Sequence, residues 1–245
     1  MLVSLSVEPR QRLAFPLDYP DLAAARCGAE LVRASAGVLK VGLELFVREG
    51  PAAVALGGQL GCDVFLDLKL HDIPATVDGA VAAAAALGAR YLTIHASGGP
   101  RMVEAAVRRA ASENPALVIL AVTVLTSLDD ADLAKMGVRG GASEHALRLA
   151  RVAREAGAAG FVCSPAEVRG MRRAFGPEVV LVTPGIRPAG SAAGDQKRTG
   201  TPREAILDGA DLLVVGRPIR DAGDPAAAAR AIVDEIAAAA RDIPR

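Results

Sequence analysis

Short apolar runs alternate with alanine-rich stretches of helical period along almost the whole chain. The apolar runs are brief, rich in Val, Leu and Ile, and bounded by Gly, Pro or Asp, which is the pattern of strands buried on both faces. They predict strands over 13–17, 38–41, 63–69, 91–95, 117–125, 160–163, 179–183 and 212–215. Between them the periodicity predicts helices over 21–34, 51–60, 74–87, 100–112, 143–156, 165–175, 202–207 and 225–240. Several of these open on proline, which suits a first helical turn because its missing N–H would be unpaired there anyway. Gly61, Gly88, Gly157, Gly176 and Gly209 follow helix ends, where a left-handed cap favours glycine.

Strands that alternate with helices pair in parallel, because each crossover helix returns the chain to the same edge. Eight such units close a ring, so the expected fold is α/β, a single (β/α)8 (TIM) barrel spanning 1–245. A doubly wound open sheet would carry a glycine-rich phosphate turn after its first strand. Here that strand ends Pro16-Leu17-Asp18-Tyr19-Pro20, without glycine. Residues 1–11 read as an N-terminal extension, and 189–201 as a loop rich in Gly, Ser and Ala that would act as a lid over a ligand.

Composition narrows the function classes. The 245 residues carry 28 basic and 28 acidic side chains, so no net positive charge points to nucleic acid or an anionic membrane. The longest charge-free apolar stretch, 114–128, falls short of the ~20 residues of a membrane span. The apolar start at 1–7 is too short for a secretion signal and has no basic lead. A soluble cytoplasmic protein is expected. Cys27, Cys62 and Cys163 are widely spaced and predict neither zinc site nor disulfide, only small buried side chains.

Only four of the 28 basic residues are lysines: Lys40, Lys69, Lys135 and Lys197. A chain that takes its surface charge from arginine has reason to keep a strand lysine where a proton must be given up. In Val64-Phe65-Leu66-Asp67-Leu68-Lys69-Leu70, the even positions are apolar and face the helices. Asp67 and Lys69 then point together into the barrel, with Asp72 just past the strand end. A lysine beside two carboxylates is expected to stay protonated, making it a poor Schiff-base nucleophile but a good general acid. The carboxylates would repel an anionic group until it leaves. That suits loss of an anion followed by protonation of a carbanion. The competing account is a structural ion pair.

Other strands also finish on polar residues: Asp18, Lys40, His95, Thr126, Arg187 and Arg217. That is the end at which barrel enzymes assemble their sites. Pro184-Gly185-Ile186-Arg187-Pro188 and Gly216-Arg217-Pro218 follow the seventh and eighth strands, where barrels commonly bind phosphate. Gly216 would admit a close backbone N–H, and Arg217 would fork onto phosphate oxygens. His71, His95 and His145 do not form a metal set; His145 is expected solvated on its helix, and the role of His95 stays open.

The run Asp67-x-Lys69-x-x-Asp72-Ile73-Pro74-x-Thr76 resembles the signature of the orotidine 5′-phosphate decarboxylase family. The similarity extends in order through His95-Ala96-Ser97-Gly98-Gly99, Leu125-Thr126-Ser127, Thr183 to Pro188, Gly194-Asp195-Gln196-Lys197-Arg198 and Val215 to Pro218. The resemblance implies a lyase that converts orotidine 5′-phosphate to UMP without cofactor or metal, in the last step of de novo pyrimidine synthesis. It implies that Lys69 protonates C6 while Asp67 and Asp72 flank the departing carboxylate. Asp72, Ile73 and Thr76 would come from the second subunit of a homodimer. Asp18 and Lys40 would hold the ribose hydroxyls, Thr126 the pyrimidine, and Arg187, Gln196, Gly216 and Arg217 the phosphate, with Gln196 also touching the base. The chain departs from the family at Ala75, often Asn, and at Pro16, usually a small aliphatic residue; neither removes a reacting group.

Two other classes compete. A sugar-phosphate decarboxylase or aldolase of the same superfamily would use Asp67 to hold magnesium, and a silent nucleotide-binding barrel would bind without chemistry. Pure binding needs no acid beneath a carboxylate.

Overall fold

The apolar runs form eight parallel strands in a computed structural model, which describes residues 8–188 and 198–243. They are β1 (Leu13–Pro16), β2 (Val38–Val41), β3 (Asp63–Leu70), β4 (Tyr91–His95), β5 (Val118–Val122), β6 (Gly160–Val162), β7 (Val180–Thr183) and β8 (Leu212–Val214). Each pairs with the next in chain order and β8 returns to β1, closing the barrel. The chain is thus a (β/α)8 barrel.

The long helices lie where the periodicity placed them: α1 (Leu22–Val32), α3 (Pro51–Gln59), α4 (Pro74–Ala86), α5 (Pro100–Glu113), α7 (Ala142–Glu155), α8 (Pro165–Phe175), α9 (Pro202–Asp208) and α11 (Pro225–Arg241). Their starts are locally specified. Asp21 and Asp224 accept backbone N–H groups from Ala24 and Ala227 at 2.8 and 2.9 Å. Thr201 with Glu204 forms a capping box, and the Ser164 N–H donates to Glu167 Oε2 at 2.7 Å. Three short helices were not expected from the sequence: α2 (Leu43–Glu49), α6 (Asp130–Lys135) and α10 (Arg217–Arg220). Each fully buries a single side chain, Leu45, Leu133 and Ile219 in turn, too little to mark an apolar stripe.

Two groups of buried side chains divide the interior. The larger lies between strands and helices and includes Leu39, Leu66, Leu92 and Ile94. The smaller, Ala14, Val38, Phe65, Leu120, Val182, Leu212 and Val214, comes from six strands and fills the barrel itself. It forms an apolar floor. Because β-strand side chains repeat every two residues, β3 turns Phe65, then Asp67, then Lys69 to the inside, passing from floor to mouth. Residues Pro9–Arg12 form a 3-10 turn that packs against β1, β2, β8 and α11, with the Arg10 carbonyl accepting the Gly37 N–H at 2.8 Å.

Two expectations are corrected here. Cys62 and Cys163 are buried, but Cys27 is exposed, because α1 turns Ala25, Gly28, Ala29 and Val32 inward and leaves position 27 outside. His145 is half-buried on α7, with its Nδ1 3.2 Å from Arg148, rather than simply solvated. No helix among the described residues is long and apolar enough to cross a membrane.

Candidate active site

The C-terminal ends of the strands enclose a cavity of about 330 Å³ above the floor formed by Phe65 and Val214. Its charged wall comes from three consecutive strands. Lys69 Nζ donates to Asp67 Oδ2 at 2.8 Å. Lys40 Nζ, from β2, lies 3.4 Å from the same oxygen and 3.5 Å from Asp18 Oδ1, just past β1. The four side chains alternate in sign: Asp18, Lys40, Asp67, Lys69.

Asp67 is the hinge of this array. Its side chain is 11% exposed, and a buried carboxylate is unfavourable unless paired and hydrogen-bonded. Burial by itself would push the carboxyl up. The ammonium groups of Lys40 and Lys69, with hydrogen bonds from Lys69 and Thr93, outweigh it and hold Asp67 below the ordinary aspartate range. It is therefore an anion at neutral pH.

Lys69 reaches this position by an irregular backbone. It is the non-glycine residue with a left-handed φ, +49°, among the described residues. The pairing of β3 with β4 also shifts register, with Leu66 opposite Leu92 but Leu70 opposite Ile94. Left-handed backbone costs an L-residue on the order of 1 kcal/mol, and such conformations gather at functional sites. The regular pleat expected through position 70 is thus interrupted, yet both side chains still meet inside.

Across the barrel, the loops after β7 and β8 bring Arg187 and Arg217 to the cavity wall. The Arg187 N–H donates to the Gly200 carbonyl at 2.9 Å, and Gly200 donates to the Gly185 carbonyl at 3.3 Å, fixing the base of that loop. Gly185 has φ +78°, a turn that favours glycine. At Gly216 a side chain would meet Pro16 Cγ at 2.8 Å, so the Pro16 departure and Gly216 fit one another. Thr126 and Ser127 line the wall between the two charged regions.

Asp72, Ile73 and Thr76 are exposed and lie outside the cavity of their own chain. The Asp72 carboxylate accepts its neighbour Ile73's N–H at 2.6 Å. Within one chain Lys69 therefore meets one carboxylate, not the two that the spacing suggested. Gln196, with Gly194, Asp195 and Lys197, lies outside the described residues. Arg198 is described: its Nη2 donates to the Leu125 carbonyl at 3.0 Å, and it pairs with the buried Glu167.

The sequence reading missed Thr93. It is a fully buried polar residue between Leu92 and Ile94, both of which pack outward. A lone hydroxyl at an inward position of an apolar strand is the same signal that singled out Asp67. His95, left open, stacks near His71 with ring centres 5.2 Å apart. Burial, with His71 and Lys69 nearby, pushes its imidazole below the ordinary range.

Comparison with known proteins decides the family. Residues 11–232 match the family described as Orotidine 5′-phosphate decarboxylase / HUMPS family. The chain belongs to this family. It is 58% identical over 226 residues to the orotidine 5′-phosphate decarboxylase of Anaeromyxobacter sp. (strain K), covering 92% of this chain and 98% of that one. It is 53% identical to the protein of the same name from Thermobifida fusca (strain YX), over 91% and 95% of the two chains. The crystal structure of orotidine 5′-phosphate decarboxylase from Lactobacillus acidophilus superposes with a TM-score of 0.81 at 36% identity, covering 92% of this chain and 99% of that one. The matched stretch spans every residue that lines the cavity, from Pro16 to Arg217.

Proposed function

We propose that this chain decarboxylates orotidine 5′-phosphate to UMP, the closing reaction of de novo pyrimidine nucleotide synthesis, with no metal or cofactor. The observation that carries the reading is the alternating Asp18–Lys40–Asp67–Lys69 array in a cavity also lined by Arg187 and Arg217, which follow β7 and β8. An ammonium held against a carboxylate, in a cavity that two arginines also line, suits a substrate with a reacting carboxylate at one end and a phosphate at the other.

In this mechanism the C6–carboxylate bond breaks, carbon dioxide leaves, and the electron pair remains on C6. Lys69 donates a proton there and is reprotonated from solvent. Asp67 disfavours the substrate carboxylate by like charge, a repulsion relieved as neutral carbon dioxide forms. Asp18 and Lys40 hold the ribose hydroxyls, and Thr126 contacts the pyrimidine. Arg187, Arg217, the Gly216 backbone and Gln196 hold the phosphate, with 189–201 as the lid and Gln196 reaching the base. Both oxygens of Asp67 already accept from Lys69 and Thr93, with Lys40 close by, which leaves it badly disposed to ligate magnesium.

The working unit in this reading is a cytoplasmic homodimer of single-domain barrels, in which 1–11 is an extension. Each subunit would lend Asp72, Ile73 and Thr76 to its neighbour's site. Support comes from Ile73, 66% exposed, and from Leu43 and Val47 on the adjacent loop helix, 53% and 81% exposed. These residues follow the neighbouring strands β2 and β3, and exposed apolar side chains at that end of the barrel favour a protein partner.

The deciding experiment follows loss of orotidine 5′-phosphate absorbance with purified protein in excess EDTA. Turnover to UMP is expected to survive the chelator. No turnover, or turnover that needs added magnesium, overturns the reading.

A further inference from the structure

Thr93 lies in the middle of β4 with no solvent exposure, and its one hydroxyl serves two groups on β3. Its Oγ1 donates to Asp67 Oδ1 at 2.9 Å and accepts the backbone N–H of Lys69, also at 2.9 Å. The first bond takes the Asp67 oxygen that the two lysines leave, since Lys69 and Lys40 both address Oδ2. The second falls where β3 slips out of register against β4 and Lys69 turns to φ +49°. There the Thr93 hydroxyl takes the Lys69 N–H. A buried N–H without a partner would be costly.

We propose that Thr93 is a positioning residue for the decarboxylation: through one hydroxyl it sets both the plane of the Asp67 carboxylate and the left-handed backbone that aims Lys69. The inference rests on the function proposed above for the reaction that it serves. The geometry explains why a hydroxyl is needed there. A carboxylate held at one oxygen only could rotate about its last bond, carrying the Lys69 ammonium with it. Tied at both oxygens, it presents Oδ2 to Lys69 in one orientation. General-acid catalysis is sensitive to such placement, because donor and acceptor must meet within hydrogen-bond reach.

The groups that face Asp67 are Lys40 from β2, Lys69 from β3, and Thr93 and His95 from β4, with Asp18 beyond Lys40. The Thr93 hydrogen bond is one of the influences that hold the Asp67 carboxyl low, beside the two lysines. Removing it therefore moves the acid end of the pH–rate profile upward, and a variant that keeps the hydroxyl leaves it in place.

The test compares Thr93→Val, which keeps the shape and loses the hydroxyl, with Thr93→Ser, which keeps the hydroxyl. A valine is well suited to a central strand, so both variants are expected to fold. In Thr93→Val, kcat falls by about 10- to 100-fold, the size of one lost hydrogen bond to a charged group. Affinity for UMP, which has no carboxylate to meet Asp67, stays near that of the wild type, and Thr93→Ser restores most of the rate. A carbon-13 carboxyl titration of Asp67 by NMR, without substrate, shows its pKa raised in Thr93→Val and restored in Thr93→Ser. Wild-type kcat in Thr93→Val, equal losses in both variants, or an unmoved Asp67 titration each overturn the inference. If the wild type itself fails to turn over orotidine 5′-phosphate, the functional reading falls, and the titration still decides whether Thr93 sets Asp67.

Discussion

Asp67 and Lys69 stand two residues apart on one strand, and their side chains meet at 2.8 Å although the backbone between them leaves the regular pleat. The Lys40 ammonium, 3.4 Å from the same Asp67 oxygen, completes a cluster in which burial pushes the carboxyl up and the cations pull it down. The anion persists because two cations and two hydrogen bonds surround it.

Removing the proton donor tests the mechanism most directly. Lys69→Ala is expected to lower kcat by about 10³-fold or more, while UMP still binds through phosphate and ribose contacts. Steady-state kinetics with isothermal calorimetry of UMP separates the two effects. Near-normal turnover would refute the assignment.

The phosphate wall makes a second prediction. Arg217→Ala is expected to lose about 3 kcal/mol of transition-state stabilisation, roughly a hundredfold in kcat/KM. The variant and wild type should differ little on orotidine, which lacks the phosphate. An equal defect on both substrates would place the role of Arg217 elsewhere.

His95 predicts a pH effect on stability. Its imidazole lies below the ordinary 6.5 in the folded protein, chiefly through burial. As pH falls through about 6.5, the unfolded chain takes up a proton that the folded site refuses, so stability declines until the lower folded value is passed. Urea denaturation at pH 7.5, 6.5 and 5.5 should show this fall, and His95→Asn should flatten it. His145, also lowered, contributes the same sign and leaves a residual slope.

Ile73 tests the assembly. Ile73→Glu places a charge on the apolar rim with Leu43 and Val47, and is expected to shift sedimentation from dimer toward monomer. Turnover should fall in parallel as each site loses its neighbour's Asp72. A variant that stays dimeric and fully active would remove the rim from the interface.

Much of the site could be read along the chain because a barrel strand permits few charges. Asp67, Lys69 and Lys40 stood out as polar residues in apolar runs, and Arg187 and Arg217 as cations beside glycine at the last two strand ends. Thr93 carried the same signal more faintly, since threonine is also an ordinary strand former. Asp72 lies three residues from Lys69 in sequence, yet within one chain the two do not meet, and the Asp72 carboxylate accepts the Ile73 N–H.

Periodicity and turn chemistry by themselves determined the number, order and type of the main elements, because each strand and helix must bury its own apolar face. The short helices α2, α6 and α10 each bury only one side chain fully, which leaves little pattern to announce them. Only the closed barrel decided that Lys40 shares Asp67 with Lys69, and that Thr93, 26 residues away, binds Asp67's other oxygen. Those contacts run between neighbouring strands, and their partners are chosen by register. A slip in β3 that no residue pattern marks set the final aim of Lys69.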